Sequence, residues 1–233
     1  FDIPPAATVA QNRYAYSHIY PAGDYSRSVD KETILANWVS YDMWLTNGLP
    51  VNKGMTSCGI CPSQEMVDCY ETIDGEPVLD LAQPYLDEQH LVPNYNKKNR
   101  LYDPNNPYAN RDPRFEATIY YNGCPRYLVK PDSVTVWTYD GGNCSISDKA
   151  QGRFNTRTGY YLRKFNASDA DEDHQTDGRA HVARLAEIEL NLAECACESG
   201  RLDEAREACN AVRNRAGMPD LPTNLNQDEL RLR

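Results

Sequence analysis

The last third of the chain carries the strongest pattern. Leu185, Ile188, Leu192 and Cys195 recur every three or four positions, the period that gathers apolar side chains on one face of a helix. Val182, Ala186, Ala193 and Cys197 widen that face, and everything after residue 180 reads as helix. Gly200 is placed to stop the helix in a left-handed cap. Asp203 and Glu204 suit the opening turn of a second helix, whose apolar stripe is Leu202, Ala205, Cys209, Val212 and Ala216. Arg213 and Arg215 fall in its last turn, and Gly217 followed by Pro219 ends it. So short a connection makes the pair antiparallel. Leu192 and Val212 are expected to face each other, and Ala193, Ala196, Ala205 and Ala208 to let the backbones approach closely. The final "TNLNQDELRLR" opens a third helix.

Upstream the pattern is weaker. Residues 64–70 suit a helical turn with Met66 and Val67 inward, and "NWVSYDMWL", residues 37–45, suits a short helix or an aromatic loop. "RFEATIYYNG" (114–123) and "SVTVWTYDGG" (133–142) alternate apolar with polar and end in turn residues, which predicts a small β-hairpin or ribbon. Cys124 and Cys144 follow those two turns, so pairing of the strands would bring them within disulfide reach. "NRDPRF" (110–115) reads as structural, with Asp112 and the two arginines tying down a turn.

Composition divides the chain. All tyrosines, tryptophans and phenylalanines precede residue 166, and thirteen of the fifteen prolines lie at or before Pro131. The expected organisation is an aromatic, loop-rich, ligand-binding part over 1–166 and a truncated helical scaffold part over 167–233, both within one domain. One helix pair cannot bury its faces alone, so either further repeats lie outside the chain of 233 residues or the aromatic part supplies the second surface; the third helix cut off after a turn or two and the start at Phe1 lead to the expectation of a portion of something longer. A formal charge of −10 repels phosphate backbones and sets nucleic acid aside as a partner. No run approaches the roughly 20 apolar residues of a membrane-spanning helix, and no secretory leader is visible. The join, "SDADEDHQTDG" (168–178), reads as a solvated acidic loop. A calcium-hand loop fails there, because His174 stands where glycine is required and Ala180 where the bidentate glutamate belongs; a looser calcium site is left open, and no other cofactor is indicated.

Sixteen tyrosines and three tryptophans suit recognition of a sugar, whose C–H faces stack on flat rings while its hydroxyls bond to Asn, Asp, Gln or Arg. Trp38, Tyr41, Trp44, Trp137 and Tyr139 are the candidates, with Asn37, Asp42, Asn47 and Asp140 beside them. The competing reading makes these rings the core of a loop-rich region. Cys58-Gly-Ile-Cys61 matches Cys-x-x-Cys. A local disulfide, free thiols, a redox pair, and a zinc half-site that Cys69 and His90 could join are the alternatives. Cys195, Cys197 and Cys209 read as small core residues. The four histidines fall in no catalytic pattern, and no nucleophile elbow, phosphate loop or zinc-protease motif occurs.

Several segments in order resemble one family. "PSQEMVDCYE" (62–71) with Asp74-Gly75, "NRDPRF" (110–115) with "IYYNG" (119–123), "TGYYLRKF" (158–165), "RLAEIELNLAE" (184–194) and "ACNAVRNRAGMP" (208–219) are similar to the successive landmarks of SusD/RagB-type proteins. "ESGRLDEA" (198–205) resembles the turn of a tetratricopeptide repeat. The resemblance implies a mainly α fold of tetratricopeptide-like helix pairs with long irregular loops. It implies a lipid-anchored protein at the outer-membrane surface that binds oligosaccharide, or sometimes peptide, and passes it to a SusC-like TonB-dependent transporter. The lipid-bearing cysteine and signal peptide would belong to the missing N-terminal half. The expected function is glycan binding without catalysis. A helical-repeat adaptor for peptide or protein is the alternative, and a glycoside hydrolase a more distant one.

Overall fold

The computed structural model describes residues 32–39, 50, 58, 60–126, 134–145, 147, 155–164 and 178–233. Its elements in chain order are β1 (Thr33–Val39), α1 (Gln64–Asp68), α2 (Pro113–Thr118), β2 (Ile119–Tyr120), β3 (Tyr161–Leu162), β4 (Gly178–Arg184), α3 (Leu185–Glu198), α4 (Leu202–Arg215) and α5 (Gln227–Arg231). The architecture is mainly helical, with short strands and long irregular connections between them. Among the described residues no helix is long and apolar enough to cross a membrane.

α3 and α4 form the expected antiparallel pair. Gly200 turns the chain at φ +75° and Gly217 ends α4 at φ +85°, a backbone region that costs a residue with a Cβ strain. The faces that meet are not those the hydrophobic period suggested. Ala193, Ala196, Ala205 and Ala208 are all buried, whereas Ile188 is 50% exposed and Leu192 41% exposed. Alanine faces let two backbones approach, and the longer aliphatic side chains then point away from the contact. Leu192 therefore does not face Val212 across a closed interface, and Cys195 is exposed rather than core. Cys197 is buried, with Leu221 and Leu230 packed beside it, so α5 closes one end of the pair. α5 begins in a reciprocal capping box between Asn226 and Glu229.

Three further expectations are corrected. Residues 178–184 are strand β4, paired antiparallel with β1, so helix starts only at Leu185 and residues 37–39 are strand rather than helix or loop. Val67 is buried in α1, but Met66 is 49% exposed. Residues 113–118 are helical despite their alternation, because Asp112 accepts from the Arg114 amide at 2.8 Å and Pro113 occupies the first turn. A cap and a pre-set φ outweigh a short alternating run. β2 accordingly pairs with β3, not with residues 133–142. The expected ribbon forms one step later, where Gly123 donates to the Val136 carbonyl at 2.7 Å and Val136 returns a bond to Cys124 at 2.9 Å.

Ion pairs tie the two compositional parts together. Glu32 lies between Arg184 at 2.6 Å and Arg215. Glu71 meets Arg213 at 2.7 Å and Arg233 at 3.4 Å. Arg213 and Arg215, which the sequence presents as ordinary last-turn charges, are thus buried ion-pair partners. The "NRDPRF" segment is structural as expected. Arg111 donates to the carbonyls of Val67, Tyr70 and Pro107, and Asp112 holds Arg114.

Candidate functional site

Aromatic residues sort into two populations. Tyr120, Tyr161 and Phe115 are buried, at 0%, 0% and 1% exposure. Tyr120 and Tyr161 face each other in the β2–β3 ladder. The Arg126 and Arg163 guanidinium groups lie 5.5 and 4.9 Å from the Tyr120 ring centre. Tyr120 and Tyr161 form a core with Cys58, Cys124, Val136 and Cys144, while Phe115 packs with Val67, Ile119 and Tyr160.

Trp137 and Tyr139 belong to the other population. They follow Val136 out of that core on a tight turn, 39% and 55% exposed, with ring centres 5.7 Å apart and planes at 57°. The turn is locked from several sides. Asn143 accepts from the Trp137 amide at 2.9 Å and donates to the Thr135 carbonyl at 2.9 Å. Asn122 accepts from the Thr138 amide at 2.9 Å. Cys144 donates to the Trp137 carbonyl at 2.9 Å, and Gly142 to Tyr139 at 2.8 Å. A Cβ at Gly142 would stand 2.3 Å from the Trp137 oxygen, so only glycine fits. Below the turn, the Tyr161 hydroxyl donates to the Cys144 carbonyl at 3.2 Å. The Trp137 ring reaches over Gly123, where a Cβ would meet it at 3.7 Å. Exposed Asp140 stands next to Tyr139. The turn therefore presents two aromatic faces and a carboxylate to solvent on a rigid base, which is what stacking and hydroxyl recognition require.

The structure brings Trp137, Tyr139 and Asp140 together. Trp38 stands in β1 opposite Arg179 in the register, and its side chain lies outside the described ones. Tyr41 and Trp44 lie outside the described residues, as does the acidic 168–177 stretch considered for calcium. Among the described residues no group of three His, Cys, Asp or Glu side chains is arranged to hold a metal ion. Cys58, Cys61, Cys124 and Cys144 gather in one cluster as thiols rather than as the disulfides considered from the sequence.

A second feature was not legible in the sequence. A cavity of about 430 Å³ lies between α1 and the 77–90 loop, with Leu79, Leu81, Tyr85, His90 and Leu232 among its walls. Tyr85 and His90 stack at 4.4 Å and 6°, and the Tyr85 hydroxyl donates to Asp68 at 2.8 Å. Burial, then the bond to Asp68, pushes the Tyr85 phenol up, so it stays protonated as a donor. His90 Nδ1 is 3.4 Å from the Glu65 carboxylate. The available signal was Tyr85 and His90 flanking the polar segment 86–89 between Pro84 and Pro93. Their stacking depends on a turn closed by Asp87, which accepts from the Leu91 and Val92 amides at 3.0 and 2.7 Å.

A family model described as the SusD family matches residues 11–232. A solved SusD-like protein from Bacteroides fragilis is 25% identical, with a TM-score of 0.67 over 99% of this chain and 43% of its own. A SusD-like carbohydrate binding protein from the same organism is 24% identical, with a TM-score of 0.63 over 94% of this chain and 40% of its own. The chain thus spans less than half the length of these two structures. Among curated proteins, none matches it.

Proposed function

The chain belongs to the SusD family, and from that premise we propose that it is part of a cell-surface protein that captures an oligosaccharide by binding, without chemistry on it. The observation that carries this reading is the Trp137–Tyr139 turn. Two exposed rings 5.7 Å apart sit on a base fixed by the Asn122 and Asn143 side chains. Exposed aromatic rings cost solvation unless a partner covers them, and pre-ordering the turn removes an entropy cost from the binding step. Asp140 is the hydroxyl acceptor beside the rings. Trp44, Trp38 and Tyr41 complete the proposed stacking set. One fold neighbour is itself a carbohydrate-binding protein, in agreement with this assignment. The captured oligosaccharide passes to a SusC-like TonB-dependent transporter at the outer membrane, to which the whole protein is held by a lipid anchor.

The test is a glycan array on the full-length protein, followed by calorimetry with the best ligand. An aromatic stack on a nucleobase contributes about 1–3 kcal/mol, and the same scale applied to a sugar gives roughly a several-fold to hundredfold loss for Trp137→Ala. Glu198→Ala, which removes only an exposed contact to Arg231 on the helical scaffold, leaves affinity unchanged. Unaltered affinity in both Trp137→Ala and Tyr139→Ala would overturn the assignment of the site.

A further inference from the structure

Cys58 and Cys61 form a pair that the ligand turn does not use. Their Sγ atoms are 3.5 Å apart in hydrogen-bond contact. Cys58 is 7% exposed and packs against the core of Tyr120, Cys124, Val136, Cys144 and Tyr161. Cys61 sits half-buried at the rim of the same core. The two sulfurs are unlike. Cys61 has the Cys58 thiol, the Arg157 backbone amide and the Arg157 charge around its sulfur, while Cys58 meets Cys61 from inside the core. The 156–158 segment that supplies these groups is held to the pair by the Thr158 hydroxyl, which donates to the Pro62 carbonyl at 2.6 Å.

We propose that Cys58 and Cys61 are a redox-active dithiol that exchanges with small-molecule disulfides, Cys61 attacking and Cys58 resolving. The Cys61 thiolate attacks one sulfur of a disulfide RSSR, forms a mixed disulfide and expels RS⁻. That thiolate takes the Cys58 proton. The Cys58 sulfur then attacks Cys61 Sγ, closes the internal disulfide and expels the second RS⁻, which is protonated by solvent. One external disulfide is reduced to thiols and the pair is oxidised by two electrons. Closing the bond from the observed 3.5 Å requires a movement of about 1.5 Å, small for neighbours three residues apart. The division of roles follows from access and charge. The entering disulfide meets the half-buried Cys61 first, and the contact with Cys58, then the Arg157 amide and charge, hold that thiol below the ordinary thiol range. The Cys61 contact and burial push the Cys58 thiol up, so it keeps its proton until the mixed disulfide has formed. Cys124 and Cys144, at 1% and 0% exposure, lie too deep for an entering disulfide.

The experiment uses the reduced full chain under anaerobic conditions, with iodoacetamide labelling of each cysteine followed by peptide mass spectrometry across pH. Exposed Cys195 is the internal comparison. At about pH 6, more of Cys61 is thiolate than of an ordinary thiol, offset in part by its lower intrinsic nucleophilicity, so it labels several-fold faster. Above about pH 9 the order reverses, because the ordinary thiols are then also ionised and are the better nucleophiles. Glutathione disulfide then converts the chain to a form lacking two hydrogen atoms, with the new bond mapped to Cys58–Cys61. Cys58→Ser retains glutathione on Cys61, and Cys61→Ser retains none on Cys58. Labelling of Cys61 no faster than Cys195 at about pH 6 overturns the proposal. So does a bond mapped to another pair, or glutathione left on Cys61 of the unaltered chain. The labelling profile needs no variant, so it decides the matter even where a serine variant misfolds.

Discussion

Glu71→Ala takes the carboxylate from between two arginines. Arg213 is 2.7 Å and Arg233 3.4 Å away, and the side chains are 12%, 9% and 8% exposed respectively. At an effective dielectric of about 20 these separations correspond to roughly 6 and 5 kcal/mol of attraction, most of which repays the cost of removing three charges from water. The variant loses the attraction and keeps the cost. Arg213 is still held by its Nε bond to the Pro219 carbonyl at 2.9 Å, and Arg233 by its bond to the Gly75 carbonyl at 2.8 Å. Both cations are therefore retained in place without an anion. Breaking such a pair costs about 3–5 kcal/mol. For a domain of this size each kcal/mol moves Tm by about 2–4 °C, so the expected fall is roughly 6–20 °C by calorimetry or circular dichroism. Replacing Glu71 and Arg213 together by leucine and methionine removes one of the two uncompensated charges and recovers part of the loss. A Tm within about 2 °C of the parent for Glu71→Ala, or a double variant no better than the single one, would refute the argument that this pair joins α4 to the segment after α1.

The remaining predictions concern packing and the binding turn. Leu192→Ala costs only about 1 kcal/mol in chemical denaturation, because a side chain 41% exposed leaves no closed cavity when it is truncated. Ala196→Leu, at a position 0% exposed between α3 and α4, costs about 1–3 kcal/mol or more, since the helices must part to admit it. The reverse ranking would restore the interface read from the hydrophobic period. Gly142→Ala forces the turn open at the Trp137 carbonyl, 2.3 Å from the new Cβ. It weakens glycan binding by calorimetry about as much as Trp137→Ala and shifts the tryptophan fluorescence. Unchanged affinity with an altered spectrum would separate the turn's shape from recognition.

Local chemistry made much of the helical part legible in the sequence. The pair α3–α4, its turn at Gly200, the acidic start of α4, the stop at Gly217 and the opening of α5 all follow from caps, charge and backbone freedom within a few residues. The "NRDPRF" turn was legible for the same reason: Asp112 and Arg114 are neighbours, and their contact needs no distant partner. Residues 114–118 misled because alternation and capping conflict there, and the cap prevails. Which face of α3 is buried depends instead on how closely another helix approaches. Alanines admit a neighbour where leucines do not, so the period alone selects the wrong stripe. Arg213 and Arg215 look solvated until the fold brings Glu71 and Glu32 to them across more than a hundred residues. The aromatic candidates divide in the same way. Composition names the rings, but only the β2–β3 ladder and the turn after Val136 put Tyr120 and Tyr161 inside and Trp137 and Tyr139 outside. Cys58 and Cys61 are neighbours by spacing, yet their unequal burial comes from Tyr120, Val136, Cys144 and Tyr161, which only the fold brings against Cys58. Burial and charge pairing are properties of distant chain segments meeting, and only the tertiary structure brings those segments together.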